Sequence, residues 1–554
     1  MTSLLGALCA TLLAAASPAP AAAKPADAKA EPAAADAAAK PADPNAKKDE
    51  AKPEEKKAEG ADKDKKAAEG DKKPDGEKKA EGDKKDAKED EPPPPAKPEL
   101  FDEALAAHYD GNSREAAPKF YAFINGSPRT ADNYEWAQFF LADDLSRLGF
   151  THAAIVYWSE VAKTRSRAEI LPEALAGLER LTSTVPYDSE LVEREVLYGT
   201  DFGTVPPNAF DYVHFHKGLV ALRDGNLRWA TAHFGKLHPG TTYFARAKLV
   251  RAVQKMTREN DAEGALADFE SLAADKTAAK EVRNEARISA ARLYFEKGEY
   301  DKTHQLYDSV ELGELDPGRG EIYLEKAWTY YRRGEASQAM GVLLALDAPS
   351  FRELFLPEKY ILASLIYKDR CHYLPAKRAA RGFTRRYKQA LTLVHERGNF
   401  KDDLRLVRAA LEQDAAVRRA GDFVELLGRE RDLVDQYTSR FEQSGLTRKL
   451  RGIYDRALAE ATRQRESMLK RALTSAADRL LRDEEQVRLL DYEIGLDLYK
   501  RVKRGALGQR MAVNDPTIGD EDVVYEFDGE YWNDELMDYR LFLPSRCAAV
   551  EADK

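Results

Sequence analysis

A stretch in the middle of the chain, residues 283–346, reads twice through one pattern, and this repetition constrains the fold more than any other feature. Each copy has a small residue, an aromatic residue and a glycine, followed by a second small residue and a large apolar or aromatic one. The first copy is Ala291, Tyr294, Gly298, Thr303 and Tyr307, and the second is Ala327, Tyr330, Gly334, Ala339 and Leu343.

Within each copy the spacing is that of α-helices. Small residues recur where two helices must approach closely, and the large residue that follows fills the groove beside them. The glycine, Gly298 in the first copy and Gly334 in the second, falls where a tight turn between antiparallel helices favours a residue without a Cβ atom. Each copy therefore predicts one helical hairpin.

The unit resembles the tetratricopeptide repeat (TPR), a helix–turn–helix unit of about 34 residues whose copies stack into a superhelix. The large groove-filling residue recurs along the chain, at Phe120, Trp158, Phe234, Phe269, Tyr307, Leu343 and Phe383. The long interval between Trp158 and Phe234 leaves room for two units, so a degenerate copy is expected at Leu171–Gly199. The sequence thus predicts an all-α fold in which residues 99–387 form a TPR-like solenoid.

A second helical module is expected after the solenoid, at residues 388–510. It includes two long runs, Leu450–Leu473 and Ala476–Val502, that contain almost no glycine or proline. Such helices need a partner face. A hairpin within the chain, packed on the last repeat, is favoured over a coiled coil with a second subunit.

Residues 511–554 form a tail of different character, for which we expect a small β-hairpin. The predicted strands are Val523–Phe527, Glu530–Trp532 and Tyr539–Leu543, and Asp528-Gly529 is the predicted turn between the first two. The tail is also rich in acidic residues. Their spacing matches no Ca²⁺-binding loop, so we interpret them as a solvated face or a site for a basic partner.

The N-terminus reads as an export signal followed by a spacer. Residues 1–23 contain the apolar run Leu4–Ala16, which is shorter than the roughly 20 residues that span a bilayer, and small residues that suit cleavage. Cys9 follows the bulky Leu8, which disfavours a lipoprotein signal. Residues 24–98 are rich in Lys, Ala, Glu and Pro and are predicted to be a disordered linker. A periplasmic protein is therefore expected, with a cytosolic protein as the alternative.

No catalytic constellation stands out in the sequence. It contains none of the HExxH, GxSxG, Walker-type or GxGxxG motifs, and His214 and His216 are too closely spaced on a helix to bind one metal ion. The net charge of −10 gives no reason to expect nucleic-acid binding. We therefore predict a protein that is not an enzyme and has neither a cofactor nor a metal site.

Two cysteines, Cys371 and Cys547, remain in the mature chain if the leader is removed. In an oxidising compartment they are candidates for a disulfide that fastens the tail to the last repeat. Entropy models put the stabilisation from so long a loop at roughly 4–5 kcal/mol. Two separate buried thiols are the alternative.

The resemblance to TPR proteins also implies where a partner binds, because in that family the first helix of each repeat lines the concave groove. Aromatic residues beside arginines are common anchors of such surfaces. The candidates for the groove are Arg147, Arg223, Arg292, Phe295, Glu296, Trp328, Tyr331 and Arg332. The alternative for each aromatic residue is packing against the neighbouring repeat.

Together these features predict a non-enzymatic periplasmic scaffold that binds protein partners. The leader, the linker, the repeats and the ending FDGEYWNDELMDYRLFLPSRC are similar to periplasmic TPR components of bacterial gliding-motility envelope complexes. That resemblance implies partners among motility proteins of the inner and outer membranes. Two alternatives are a periplasmic factor that coordinates cell-wall or outer-membrane assembly and an enzyme with an unrecognised site in residues 388–510.

Overall fold

The fold is known from a computed structural model. It describes residues 99–164, 167–313, 316, 318–503, 523–532 and 535–547. The predicted signal peptide and linker, residues 1–98, lie outside the described residues. Within the described ranges, no helix has the length and apolar composition that crossing a bilayer requires.

Successive helices of residues 99–386 form an array of hairpins, as the repeat pattern predicts. The pairs are α1 (Glu99–Tyr109) with α2 (Ser113–Gly126), α3 (Tyr134–Arg147) with α4 (Thr151–Thr164), α6 (Phe210–Arg223) with α7 (Leu227–Phe234), α8 (Thr242–Gln254) with α9 (Ala262–Ala274), α10 (Lys280–Lys297) with α11 (Tyr300–Asp308), α12 (Gly318–Arg333) with α13 (Ala336–Ala345), and α14 (Glu358–Asp369) with α15 (Tyr373–Arg386). Between α4 and α6 lie α5 (Leu171–Thr182) and a π-helix, Glu190–Tyr198, where the degenerate copy is expected.

The turn inside each of the seven hairpins holds one residue with positive φ. These residues are Gly111, Gly149, Gly225, Asn260, Gly298, Gly334 and Cys371. A left-handed residue reverses the chain after a helix and satisfies its last carbonyl groups, and glycine adopts this conformation without strain. Two hairpins are exceptions, because Asn260 with φ 54° and Cys371 with φ 58° occupy the position.

The large residues of the repeat pattern fill the grooves between helices. All seven are buried, from Phe120, Phe269 and Phe383 at 0% exposure to Phe234 at 7%. The close packing is visible at Gly218, where an added Cβ atom would lie 2.4 Å from the Phe234 ring. The predicted all-α fold, an array of helical hairpins, is confirmed for the described residues.

The C-terminal module continues with shorter helices and then one very long one. Its helices are α16 (Lys388–His395), α17 (Leu404–Gln413), α18 (Ala415–Gln436), α19 (Thr438–Phe441) and α20 (Leu446–Lys503). The two runs predicted to be separate are one helix of 58 residues, about 87 Å long at 1.5 Å per residue. At the expected break the helix continues, and Leu473, Ala476 and Ala477 on either side of it are buried in one core.

Helix α20 packs against both ends of the array. In its first half, Leu450 and Tyr454 belong to the apolar core formed by the first repeats. In its second half, Leu473, Leu480 and Val487 belong to the core formed by α15–α17 and neighbouring residues. One helix therefore links the beginning of the array to its end.

A buried carboxyl group fixes the first of these contacts. Glu430 of α18 accepts the backbone N–H groups of Thr151 and His152, each at 3.0 Å, and the Tyr454 hydroxyl at 2.7 Å. Burial raises the pKa of Glu430, while these hydrogen bonds act to lower it. Because the N-terminus of a helix carries unpaired donors and a partial positive charge, Glu430 joins α4, α18 and α20 at one point.

The predicted β-hairpin tail is wrong, since no strand forms among the described residues of the tail. The chain does turn at Gly529, which has φ 109°, and the Tyr525 and Trp532 rings stack at 4.9 Å. These ring contacts form without a ladder of backbone hydrogen bonds. The expected third strand, Tyr539–Leu543, instead lies on α13, where the Leu541 N–H donates to the Ser337 carbonyl oxygen at 2.9 Å.

The last part of the tail is fastened to the array by apolar and covalent contacts. Leu536, Tyr539 and Leu543 are buried in the core around α12–α14. Cys547 forms a disulfide with Cys371, with a Cα–Cα distance of 5.3 Å. The backbone of Tyr539 passes directly over Gly341, where an added Cβ atom would lie 1.7 Å from the Tyr539 carbonyl oxygen.

Gly341→Ala is predicted to displace the tail from α13, because the new methyl group and the Tyr539 backbone cannot share the same space. Limited proteolysis followed on reducing gels should show cleavage before residue 547 roughly tenfold faster than in the wild type. Circular dichroism should show unchanged helix content.

Gly428→Ala is the matched control, because a Cβ atom at this helical glycine meets nothing within 4 Å. This change should leave the cleavage rate as it is and stabilise the protein by about 0.5–1 kcal/mol. Equal cleavage of both variants would show that the tail does not rest on Gly341.

Candidate functional site

A cavity of about 850 Å³ lies between the array and the C-terminal helices. One wall is formed by the segment after α5 and by residues of α6, α8 and α10, and the opposite wall by α18 and α20. Representative lining residues from the array are Pro186, Arg223, Arg246, Arg258 and Val282, and those from the C-terminal helices are Arg419, Ala420, Ala457, Gln464 and Met468. The first helices of three hairpins, which the TPR resemblance assigns to a partner, thus face helices of the same chain.

The first arginine of this lining is held by a buried carboxylate. Arg223 binds Glu193 of the π-helix, which also accepts the Tyr187 hydroxyl at 2.7 Å and lies 3.4 Å from His216. Burial acts to raise the pKa of Glu193, but His216 and Arg223 outweigh it and bring the pKa to about 2. Arg223 is therefore a fixed part of the wall.

Two other arginines on the array side retain hydrogen-bonding capacity. The Nε atom of Arg246 is buried and has no hydrogen-bond partner among the described residues. Arg258 donates to the Leu222 carbonyl oxygen at 3.5 Å, the outer limit of a hydrogen bond. Because a buried unpaired donor is costly, these groups favour a bound segment that brings carbonyl or carboxylate oxygens.

The structure places three of the residues predicted for the groove in contacts between repeats. Arg292 donates from Nε and Nη2 to Glu325 at 3.1 and 2.7 Å. The Trp328 and Tyr331 rings meet edge to face at 5.9 Å, and the Tyr331 hydroxyl donates to Asp369 at 2.7 Å. Arg292 and Tyr331 thus connect neighbouring hairpins, and Trp328 packs against the core that α12–α14 share.

The other predicted groove residues do not gather at one place. Arg147 is exposed and pairs with Asp143 at 2.7 Å, and Phe295 packs on Tyr300 of the same hairpin. Glu296 and Arg332 are exposed near the ends of α10 and α12. Of the eight candidates, Arg223 is the one that lines the cavity. Partner binding by all eight stays a prediction.

A group of carboxyl side chains along α12, α14 and α20 was not singled out in the sequence. Burial raises the pKa of Glu321, and the charge of Arg292 acts to lower it. Burial likewise raises the pKa of Glu358, and the charge of Arg479 acts to lower it. Burial, followed by the charge of Glu358, raises the pKa of Asp483 to about 7. Asp483 is 5% exposed, and its Oδ2 atom has no hydrogen-bond partner in the described part of the chain.

Groups of three or more His, Cys, Asp or Glu side chains that could hold a metal ion are absent from the described residues. His214 and His233 are close, with Nδ1 atoms 3.0 Å apart. Burial lowers the pKa of each imidazole to about 4, so both are neutral at pH 7 and one donates its proton to the other. The arrangement is a structural hydrogen bond between α6 and α7.

No protein-family model matches the sequence, and no curated protein matches it. Among solved structures, a tetratricopeptide repeat protein from Parabacteroides merdae is 15% identical and covers 51% of this chain and 91% of its own, with a TM-score of 0.18. Yeast Tom70 is 14% identical and covers 74% of this chain and 92% of its own, with a TM-score of 0.20. At such low TM-scores these likenesses do not establish a shared fold. The class is therefore defined by the chain's own hairpins, turns and buried residues, and it is that of all-α proteins built from repeated helical hairpins.

Asp483→Asn is predicted to stabilise the protein at pH 8 but not at pH 4. An unfolded aspartate ionises near pH 4, whereas the folded one keeps its proton to about pH 7. The folded state therefore binds more protons between these values, and stability falls as the pH rises through them. Thermal unfolding should show the variant more stable at pH 8 by about 2 to 4 kcal/mol.

Asp478→Asn, at an exposed position on the same helix, is the control and should give the same small difference from the wild type at both pH values. An Asp483→Asn variant that loses stability at pH 8 would mean that the ionised carboxylate is needed there.

Proposed function

We propose that this protein is a non-enzymatic scaffold that holds a polypeptide segment of a partner in the cavity between the array and helices α18 and α20. The cavity itself is the observation that carries the proposal. Its volume, about 850 Å³, lies within the range in which proteins enclose ligands, about 300–1,000 Å³. Its array side includes the first helices of three hairpins, α6, α8 and α10, which are the helices that the TPR resemblance assigns to partner binding.

The chemistry of the walls favours a peptide over an apolar small molecule. Arg246 and Arg258 offer donors for backbone carbonyl or acidic groups, while Val282, Ala457 and Met468 offer apolar surface. An extended peptide presents both kinds of group in alternation along its length. The site thus suits a segment that is threaded between two walls.

The compartment proposed for this binding is the bacterial cell envelope. The apolar leader and the Lys/Ala/Glu/Pro-rich linker of the sequence support export, and the Cys371–Cys547 disulfide fits an oxidising compartment. In this proposal the partners are envelope proteins, and the sequence resemblance to gliding-motility components directs the search to motility proteins first. Cell fractionation, with mass measurement of the mature N-terminus, tests the location. Full-length protein recovered from the cytosol would contradict it.

Filling the cavity should abolish partner binding. Ala457→Trp places an indole in the cavity from α20, where Ala457 lines it. Captured from the native envelope after crosslinking, the wild type should retain specific proteins that this variant loses. Binding of the identified segment, measured as a synthetic peptide, should weaken at least about tenfold, the equivalent of 1.4 kcal/mol.

Ala459→Trp is the matched control, since Ala459 is exposed on the same helix and is not among the lining residues. It should capture what the wild type captures. If both tryptophan variants behave like the wild type, the partner binds elsewhere and the proposed site is wrong.

A further inference from the structure

The last turns of α20 carry two apolar faces, and other described residues cover only one of them. On the inner face, Leu490 and Ile494 are buried in a core with Ala376 of α15. On the outer face lie four large side chains that are exposed to a high degree: Leu489 at 66%, Tyr492 at 67%, Leu496 at 40% and Tyr499 at 63%. Single exposed apolar residues are ordinary, but a contiguous patch on one helix indicates an interaction surface.

The positions of these residues follow the spacing of paired helices. We define the outer stripe as Glu485, Leu489, Tyr492, Leu496, Tyr499 and Lys503. Its intervals are 4, 3, 4, 3 and 4 residues, which is the heptad spacing that keeps side chains on the seam between two helices. The stripe is thus two apolar heptads, bounded by an acidic residue at one end and a basic residue at the other.

The order of residues in the stripe favours one particular occupant, which is the same stripe in reverse. If a second copy lies antiparallel across it, Glu485 faces Lys503 of that copy at both ends, and every pair between them joins a leucine to a tyrosine. In a parallel arrangement, Glu485 would face Glu485 and Lys503 would face Lys503. Charge complementarity therefore selects the antiparallel pair.

We propose that the protein forms an antiparallel homodimer through the outer stripe of α20. The helix that carries the stripe is held in place by ion pairs, because Glu493 binds Lys368 and Asp491 lies 3.2 Å from Lys377. Ion pairs and the buried core fix the helix against α14 and α15, so little freedom is lost on association. The stripe spans only two heptads, so the interface is small compared with those of permanent dimers. The dimer is therefore reversible, with a dissociation constant in the micromolar range.

Sedimentation of the full mature chain over a range of concentrations tests the proposal. The wild type should shift from monomer to dimer as its concentration rises through the micromolar range. Leu496→Glu should remain a monomer throughout, because it places a charge in the middle of the seam. Leu404→Glu is the matched control, since Leu404 is 81% exposed at the start of α17, and it should dimerise like the wild type.

Charge exchange distinguishes the antiparallel pair from any other. Glu485→Lys alone and Lys503→Glu alone each turn two attractive contacts into repulsive ones, so each should weaken the dimer about tenfold. The double variant Glu485→Lys/Lys503→Glu should recover the affinity of the wild type. An equal mixture of the two single variants should form a heterodimer, because each end then joins a lysine to a glutamate.

Three results would overturn the proposal. A wild type that stays monomeric at all concentrations would show that the stripe has another occupant or none. A dimer that Leu496→Glu leaves intact would place the interface on another surface. Single charge variants that keep full affinity, with no preference for the heterodimer in the mixture, would exclude the antiparallel register.

Discussion

The rest of the structure depends on the contact of one helix, α20, with both ends of the array. A stack of hairpins in which each unit touches only its neighbours is free to bend, because small changes at each interface add up along the stack. A continuous helix of 58 residues that is buried among the first repeats and again among the last ones opposes this bending. The Glu430 carboxyl group fastens its first half by joining it to α4 and α18.

This closure decides the form of the proposed binding site. An open TPR-like groove presents its first helices to any segment that fits, whereas here α18 and α20 form an opposite wall and leave a cavity between two surfaces. Arg292, Trp328 and Tyr331, which resemble anchors of an open groove, instead contact residues of the array. The donors that remain available lie deeper, at Arg246 and Arg258.

The parts of this fold that follow from local spacing could be predicted from the sequence. The large buried residues and most of the turn glycines recur at intervals set by one hairpin. Asn260 and Cys371 were missed because they are not glycines, although they lie at about the same interval from the neighbouring turns. The tail alternates like a strand, but packing against Gly341 outweighs that preference. Of the residues that line the cavity, only Arg223 was predicted from the sequence. The others were missed because contacts between residues hundreds of positions apart leave no periodic signal.

A distance measurement between the first hairpin of the array and α17, which follows the last hairpin, tests the closure most directly. Spin labels at Tyr109 and Leu404, which are 74% and 81% exposed, would report the distance by pulsed electron paramagnetic resonance, with Cys9 replaced by serine. We predict one narrow distribution for the wild type. Ser467→Pro, which breaks α20 at an exposed position, should broaden the distribution. Ser467→Ala should leave it narrow. A distribution that Ser467→Pro leaves unchanged would contradict the account, because the array would then hold its curvature without the helix.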